Sequence, residues 1–411
     1  MRPRLVNMLN VWALQLAFSV VGLASGQVQR PLGSDVGVPA PSTATGPISM
    51  ALFATLERLA RLVDITYCIG TTGVTKPFEC ASRCDDFPTL SLVSTWNTGV
   101  LMSDSCGFIA VDRGSQQQQG ASASNTIYTT GGPAIVVAFR GTYSITNTVV
   151  DLSTVPQEYV PYPSPDNGGD DAPEKPEHEC INCTVHMGFL DSWKSARPLV
   201  IPELQRLRAQ YPSHPIQLVG HSLGGAVACL AALELKVSLG WKDVVVTTFG
   251  EPRVGNPGLA RFVDDVFHLD GQEGLEERTY RRVTHEDDPV PLLPLGEWGY
   301  KSHAGEIYIA KRDLSPSEDD VYVCVGDNDP RCIAEGDENL WDKVRRLVKA
   351  KGAAMAPGKS TMAELLLSNL KPWQLFFAHR DYFWRLGLCV PGGDPANWGR
   401  NPYGSPESNE L

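Results

Sequence analysis

Residues 216–228 read Ile-Gln-Leu-Val-Gly-His-Ser-Leu-Gly-Gly-Ala-Val-Ala. The run joins a short apolar strand signal, Ile216 to Val219, to a helix signal rich in Ala and Leu, Gly225 to Leu235. Between them, Gly220-His221-Ser222-Leu223-Gly224 has the G-x-S-x-G form of a strand–turn–helix elbow. A turn this tight excludes side chains at its flanks, because a Cβ there meets neighbouring backbone. It raises the Ser222 hydroxyl at the C-terminal edge of a sheet, where the first amides of a helix favour developing negative charge. A small-residue turn without chemistry also accounts for five such residues. Catalysis therefore requires a base, an acid and an oxyanion hole from the rest of the chain.

The surrounding pattern alternates strand and helix. An amphipathic helix is predicted over Pro47 to Tyr67, with Leu52, Leu56, Leu59 and Val63 on one face. Buried strands are predicted at Gly107 to Val111, Ala134 to Arg140, Asp243 to Phe249 and Thr279 to Thr284. Helices are predicted over Pro198 to Tyr211 and over 257–267, and Glu306 to Ile309 pairs with Val321 to Val325 as a late antiparallel pair. Cys80 to Asp86 and the Ser-Gln-rich 115–125 read as loops, and there is no internal repeat. This order predicts an α/β fold with a mostly parallel central sheet covered by helices on both faces.

The chain of 411 residues opens on Arg2 and Arg4, an apolar run from Val11 to Leu23, and Ala24-Ser25-Gly26. The run is short and ends in small residues, which predicts a secretory signal peptide over 1–26 rather than a membrane anchor. No later stretch is long and apolar enough to span a bilayer. Residues 27–46 form a flexible Pro/Ser/Gly-rich lead-in, 47–390 one domain, and 391–411 a C-terminal tail. Without Arg2 and Arg4, the 35 basic residues fall to 33 against 47 acidic, a net charge of −14. That balance argues against a nucleic-acid partner, whose phosphates demand a basic surface.

Ten cysteines fit an oxidising compartment. Cys180/Cys183 and Cys324/Cys332 are close enough in sequence to staple loops, and Cys68 and Cys389 sit where they can tie the two ends together. No second close Cys or His pair completes a zinc set with Cys180 and Cys183, so neither a metal nor another cofactor is expected. Asn182-Cys183-Thr184 is the only glycosylation sequon and falls inside that staple.

A serine hydroxyl is a poor nucleophile near neutral pH, so an imidazole must take its proton and a carboxylate must orient that imidazole. In α/β-hydrolases these follow the nucleophile in the order acid, then histidine. Of the eight histidines, only His303 and His379 lie beyond a plausible acid. The acid belongs in the loop after a strand, which selects Asp287 or Asp288 in His285-Glu286-Asp287-Asp288-Pro289. The oxyanion donors are expected from the amide of Leu223 and from the loop after Ala134–Phe139, where Arg140-Gly141-Thr142 makes Thr142 the candidate.

Several runs in order resemble the secreted fungal class 3 lipases and the related feruloyl esterases. They are AFRGT at 138–142, SITNTVVDL at 144–152, CINCTVHMGF at 180–189, VGHSLGG at 219–225, TFGEPRVGN at 248–256, RVTHEDDPVPLLP at 282–294, GYKSHAGEIYI at 299–309 and FFAHRDYF at 376–383, with the late Cys389. The resemblance implies an α/β-hydrolase fold with a lid and surface insertions. It places the acid on Asp288 and the catalytic histidine on His379, and makes His303 structural. It implies that Cys68 pairs with Cys389 and Cys180 with Cys183; Cys324 with Cys332 is similar to a bridge of the feruloyl esterase branch. Cys229 reads as a buried free thiol, and the pairing of Cys80, Cys84 and Cys106 stays open.

The segment Tyr143, Ser144, Ile145, Thr146, Asn147, Thr148, Val149, Val150 and Asp151 occupies the position of that family's helical lid. Ile145, Val149 and Val150 can make an apolar face that covers the site in water and turns outward at a lipid surface. Insertions are expected at about 156–179, Pro-rich and acidic, and at about 335–373. The second carries an amphipathic basic helix (Leu340, Trp341, Val344, Leu347 and Val348 against Lys343, Arg345, Arg346 and Lys349) that packs on the domain or rests on an interface. The resulting expectation is a secreted lipase acting on tri- or partial acylglycerols through transient contact with a lipid interface. Two alternatives differ: a feruloyl or short-chain esterase with the same chemistry, and a non-catalytic binding protein of the same fold.

Overall fold

Alternate residues of the central strands face opposite ways, and both faces are apolar, so a sheet built from them must be covered twice. The computed structural model describes residues 46–99, 101, 103–114, 132–142, 152, 156–158, 180–271, 274–334 and 377–390. The leader, the lead-in up to residue 45, the lid segment 143–151, the insertions at 159–179 and 335–373 and the tail 391–411 lie outside them.

The strands are β1 (Val74–Thr75), β2 (Glu79–Cys80), β3 (Leu90–Asn97), β4 (Cys106–Asp112), β5 (Ala134–Phe139), β6 (Pro156–Glu158), β7 (Thr184–His186), β8 (Ile216–His221), β9 (Val244–Phe249), β10 (Tyr280–His285), β11 (Glu306–Ile309) and β12 (Val321–Val323). Eight form one sheet in the order β12-β11-β10-β9-β8-β5-β4-β3. The run from β5 through β8, β9 and β10 to β11 is parallel; β3, β4 and β12 pair antiparallel at the two edges. The remaining strands form the small pairs β1–β2 and β6–β7. This is the mostly parallel sheet that the alternation predicts, in the α/β-hydrolase architecture that the resemblance implies.

On one face lie helices α2 (Met187–Gln210), α3 (Leu223–Leu233) and α4 (Pro257–Phe267), packed against Ile135, Val137, Leu218 and Val246. On the other lies α1 (Met50–Thr66), over Val136, Ala138, Val219 and Val283. The period-two split of β5 shows how a continuous apolar run serves two cores. Helix α4 begins where local chemistry dictates: Asn256 caps it by accepting from the Leu259 amide at 3.0 Å, and Pro257 opens it.

Three elements depart from the sequence expectation. Helix α2 starts at Met187 rather than Pro198, and Pro198 and Pro202 both lie inside it. An interior proline costs about 3 kcal/mol, and burial of Phe189 and Trp193 in the earlier turns outweighs it. Trp193 Nε1 also donates to Glu234 Oε2 at 2.8 Å. Edge strand β3 breaks strict alternation at a bulge between Leu92 and Ser94, so periodicity does not announce it. Cys80, the first residue of the predicted Cys80–Asp86 loop, instead ends β2, which completes a hairpin with β1.

Disulfides join Cys68 to Cys389, Cys180 to Cys183 and Cys324 to Cys332, as the resemblance implies. Cys80 pairs with Cys84, and Cys106 and Cys229 are buried free thiols. The Cys68–Cys389 bond closes a separation of 321 residues and fastens segment 377–390 to the end of α1. The same join is made by polar groups: buried Asp64 accepts from Ser82 Oγ and, at 2.6 Å, from the Gly387 amide. The guanidinium carbons of Arg61 and Arg83 both lie over the Trp384 ring, 4.7 and 4.6 Å from its centroid. Among the described residues no helix is long and apolar enough to cross a membrane.

Asp264 on α4 carries a stability prediction. Its Oδ1 accepts from the Ala304 amide at 2.8 Å, yet burial raises its carboxyl from 3.8 to about 6, against the opposing pull of His303. A raised acid keeps its proton more tightly in the folded chain than in the unfolded one. Stability is then unaffected below about 3.8 and falls as pH rises through about 6. The melting temperature of Asp264→Asn, relative to wild type, is expected to climb between pH 4 and pH 7. A flat difference across that range would contradict this.

Candidate active site

Ser222 stands between β8 and α3 at φ 57° and ψ −129°, a backbone strain that the elbow imposes on its central residue. The glycines around it are required by space. A Cβ on Gly220 would lie 2.2 Å from the Gly224 carbonyl oxygen, and one on Gly224 would lie 2.5 Å from that of Phe139. Both obstructions are backbone atoms that cannot swing aside. Gly220→Ala is expected to cost about 3 kcal/mol or more, read as a lower denaturant midpoint at unchanged slope. A midpoint equal to wild type would refute the steric account.

Asp288 lies past the end of β10, and His379 lies on the segment pinned by Cys68–Cys389. His379 Nδ1 is 2.9 and 2.8 Å from the two carboxylate oxygens of Asp288. The same carboxylate accepts from the Val290 amide at 2.9 Å and from the Tyr382 hydroxyl at 2.5 Å. Both side chains are almost wholly shielded from solvent. Burial, then the neighbouring Asp288 charge, pushes the Tyr382 phenol well above its ordinary value, so it stays a donor. His379 Nε2 is buried and has no hydrogen-bond partner among the described residues.

Ser222 and His379 come to the same end of the sheet through β9. The Ser222 amide donates to the Phe249 carbonyl at 2.9 Å. The next residue, Gly250 at φ +60°, leaves room for the catalytic candidates: a Cβ there would sit 2.7 Å from the Tyr382 hydroxyl, 2.8 Å from His379 Cε1 and 2.9 Å from Asp288 Oδ2. His379 Nε2 makes no hydrogen bond to Ser222.

Loop 140–142 borders the elbow. A Cβ on Gly141 would lie 2.8 Å from Ser222 Cβ, and Arg140 Nη1 donates to the Ile69 carbonyl at 2.6 Å, fastening this loop to the end of α1. Half-buried Thr142 follows directly, and Leu223 opens α3, where first-turn amides lack helical partners.

The structure separates the remaining alternatives. Asp287 lies at the surface with Arg312 3.6 Å away. His303 points to Glu251, Nε2 to Oε1 at 3.1 Å, with Nδ1 2.7 Å from the Ala304 carbonyl. Cys229 lies close to Glu251 and His303, but burial drives its thiol well above the ordinary value and Glu251 already accepts from Thr248 and Tyr280. Asn182 is exposed at a left-handed φ of 54°.

Sequence reasoning missed three groups. Tyr382, three positions after His379 in the same quoted run, was legible as a neighbour but not as a donor to Asp288. The other two are Tyr67 and His221, whose hydroxyl and Nδ1 lie 2.5 Å apart. His221 Nε2 is 2.8 Å from the His379 carbonyl. That carbonyl only accepts, so Nε2 carries the proton and Nδ1 accepts from Tyr67. Burial, then His379, lowers the His221 pKa well below its ordinary value and keeps the ring neutral.

A family model described as "Lipase (class 3)" matches residues 136–298. A secreted mono- and diacylglycerol lipase 2 of Gibberella zeae is 62% identical over 416 residues, covering 100% of both chains. Lipase A of Sodiomyces alcalophilus is 56% identical over 96% of this chain and 92% of its own. Among solved structures, the Lip2 lipase of Yarrowia lipolytica matches with a TM-score of 0.62 and 27% identity, covering 85% of this chain and 99% of the other. The chain belongs to the class 3 lipase family.

Proposed function

We propose that the chain is a secreted serine lipase that hydrolyses acylglycerol esters, with mono- and diacylglycerols as preferred substrates. Ser222 is the nucleophile, His379 the base and Asp288 the orienting acid, with the amides of Leu223 and Thr142 as the oxyanion hole. The observation that carries this reading is the imidazole of His379: Nδ1 is held by both oxygens of Asp288, leaving Nε2 as the one ring nitrogen available at the end of the sheet where Ser222 stands. Ser222 Oγ attacks the ester carbonyl carbon as Nε2 takes its proton, and the carbonyl oxygen gains negative charge facing the two amides. Collapse breaks the ester C–O bond, and the leaving glycerol oxygen takes the proton from Nε2. Water then attacks the acyl-enzyme by the same route, releasing the fatty acid and restoring Ser222.

The preference for partial glycerides rests on the 62% identity to a relative named for mono- and diacylglycerols. Secretion accords with the leader at 1–26, with the four disulfides and with that relative's name. Segment 143–151 follows Thr142 directly, which supports its reading as the cover of the site, and the exposure of Asn182 supports its reading as a glycan acceptor. Hydrolysis of emulsified tri-, di- and monoglycerides beside a feruloyl ester tests the assignment. Faster turnover of the partial glycerides is expected. Faster turnover of the feruloyl ester, with no rate increase on emulsified long-chain ester, would replace the lipase reading by the esterase one.

A further inference from the structure

His379 is held at two points. Its Nδ1 is gripped by Asp288, and its main-chain carbonyl accepts from His221 Nε2 at 2.8 Å. An imidazole held only through its side chain moves with its backbone; the second grip fixes that backbone. The His221 ring also lies against the His379 ring, with centroids 4.6 Å apart and planes inclined by 32°. His221 is not itself a base for Ser222, because both of its nitrogens are engaged, Nε2 by the His379 carbonyl and Nδ1 by the Tyr67 hydroxyl at 2.5 Å. Which nitrogen of a neutral imidazole carries the proton is set by the bond the other one makes. The Tyr67 O–H, donating to Nδ1, therefore secures the tautomer whose Nε2–H faces His379.

Tyr67 touches each piece of the site. It directly follows α1 and precedes Cys68, whose disulfide fastens the His379 segment. A Cβ on Gly141 would lie 2.6 Å from the Tyr67 hydroxyl, so loop 140–142 packs on the same oxygen. The guanidinium carbon of Arg380, the residue after His379, lies 4.9 Å from the centre of the Tyr67 ring. Tyr67 and His221 are 0% and 1% exposed, so bulk water does not stand in for either partner.

We propose that Tyr67 and His221 are positioning residues for the hydrolytic reaction. The Tyr67 hydroxyl fixes the tautomer of His221, and the His221 Nε2–H sets the main chain of His379 so that its imidazole Nε2 reaches Ser222. The inference rests on the assignment of His379 as the base. A misplacement of about 1 Å in such a reach costs roughly a hundredfold in rate.

The test is turnover of p-nitrophenyl butyrate, a soluble ester that makes no demand on glyceride preference, by the full chain and its variants. Tyr67→Phe is expected to lower kcat about tenfold with KM nearly unchanged, and His221→Phe to lower it roughly a hundredfold. His221→Gln keeps an N–H near the Nε2 position and is expected to recover most of that loss. A merely structural role lowers the melting temperature and gives neither a kcat-only loss nor this rescue. In the His221→Phe background, Tyr67→Phe is expected to cost nothing further, because the relay is already cut. A second loss of about tenfold there would overturn the relay, as would His221→Gln turning over as slowly as His221→Phe. If His221→Phe does not fold, Tyr67→Phe decides alone: an unchanged kcat, or a loss carried by KM, overturns the inference. Ser222→Ala run alongside separates the two readings. Activity in that variant would strike the triad and this inference with it, whereas its inactivity beside a wild-type rate in Tyr67→Phe would strike this inference alone.

Discussion

Ser222→Ala is expected to lower kcat on diacylglycerol by roughly a millionfold, while the protein melts as wild type does. The size of the effect follows from what the substitution removes. In the proposed mechanism the hydroxyl is the group that forms the acyl-enzyme, and no other side chain replaces it at the apex of the elbow. The fold is spared because the elbow is held by main chain: the Ser222 amide bonds to the Phe249 carbonyl, and its own carbonyl accepts from Gly225 at 2.9 Å. Both bonds survive in alanine. Circular dichroism and melting check the fold, initial rates on emulsified diacylglycerol check the chemistry, and an active-site phosphonate should fail to label the variant. Activity within tenfold of wild type would remove Ser222 from the mechanism, and failure of the phosphonate to label Ser222 in the wild-type chain would revive the reading of a binding protein.

The second large effect belongs to Asp288→Asn, where kcat is expected to fall by about ten-thousandfold. Asparagine keeps the shape but not the charge. An amide NH₂ turned toward His379 forces Nδ1 to accept, which moves the imidazole proton to Nε2 and leaves no base facing Ser222. Tyr382 adds a second strain: its hydroxyl, 2.5 Å from Oδ2, needs an acceptor in a wholly buried place. Tyr382→Phe separates charge from orientation. It deletes one donor to the carboxylate and leaves the carboxylate itself, so about 1.5–3 kcal/mol of transition-state stabilisation is expected to be lost. That is a drop in kcat with KM nearly unchanged. If Asp288→Asn costs no more than Tyr382→Phe, the negative charge is not what the imidazole requires.

Much of this site was legible before any coordinates because its defining turn is a local object. Gly224 is required by the Phe139 carbonyl on the neighbouring strand, but the Cβ position of Gly220 is blocked by the Gly224 carbonyl within five residues, so that part of the motif and its steric cause share one short window. The same holds for α4, where Asn256 and Pro257 start the helix by their own chemistry. Where a boundary rests on distant burial, local rules mislead. Pro198 reads as a helix start, but Trp193 and its bond to Glu234, 41 residues on, carry α2 through it.

By itself the sequence determined the elbow, the α/β order of elements and the short list of partners for Ser222, since each follows from sterics, periodicity or chain order. Resemblance of the motifs then preferred Asp288 and His379. Only the tertiary structure brought those two within 2.8 Å across 91 residues of chain, turned Asp287 to Arg312 and His303 to Glu251, and set Tyr67 against His221 across 154. The physical reason is directional. A hydrogen bond needs two groups at one distance and one angle, and over such separations only the packing of α1, the sheet and the Cys68–Cys389 tie supplies both.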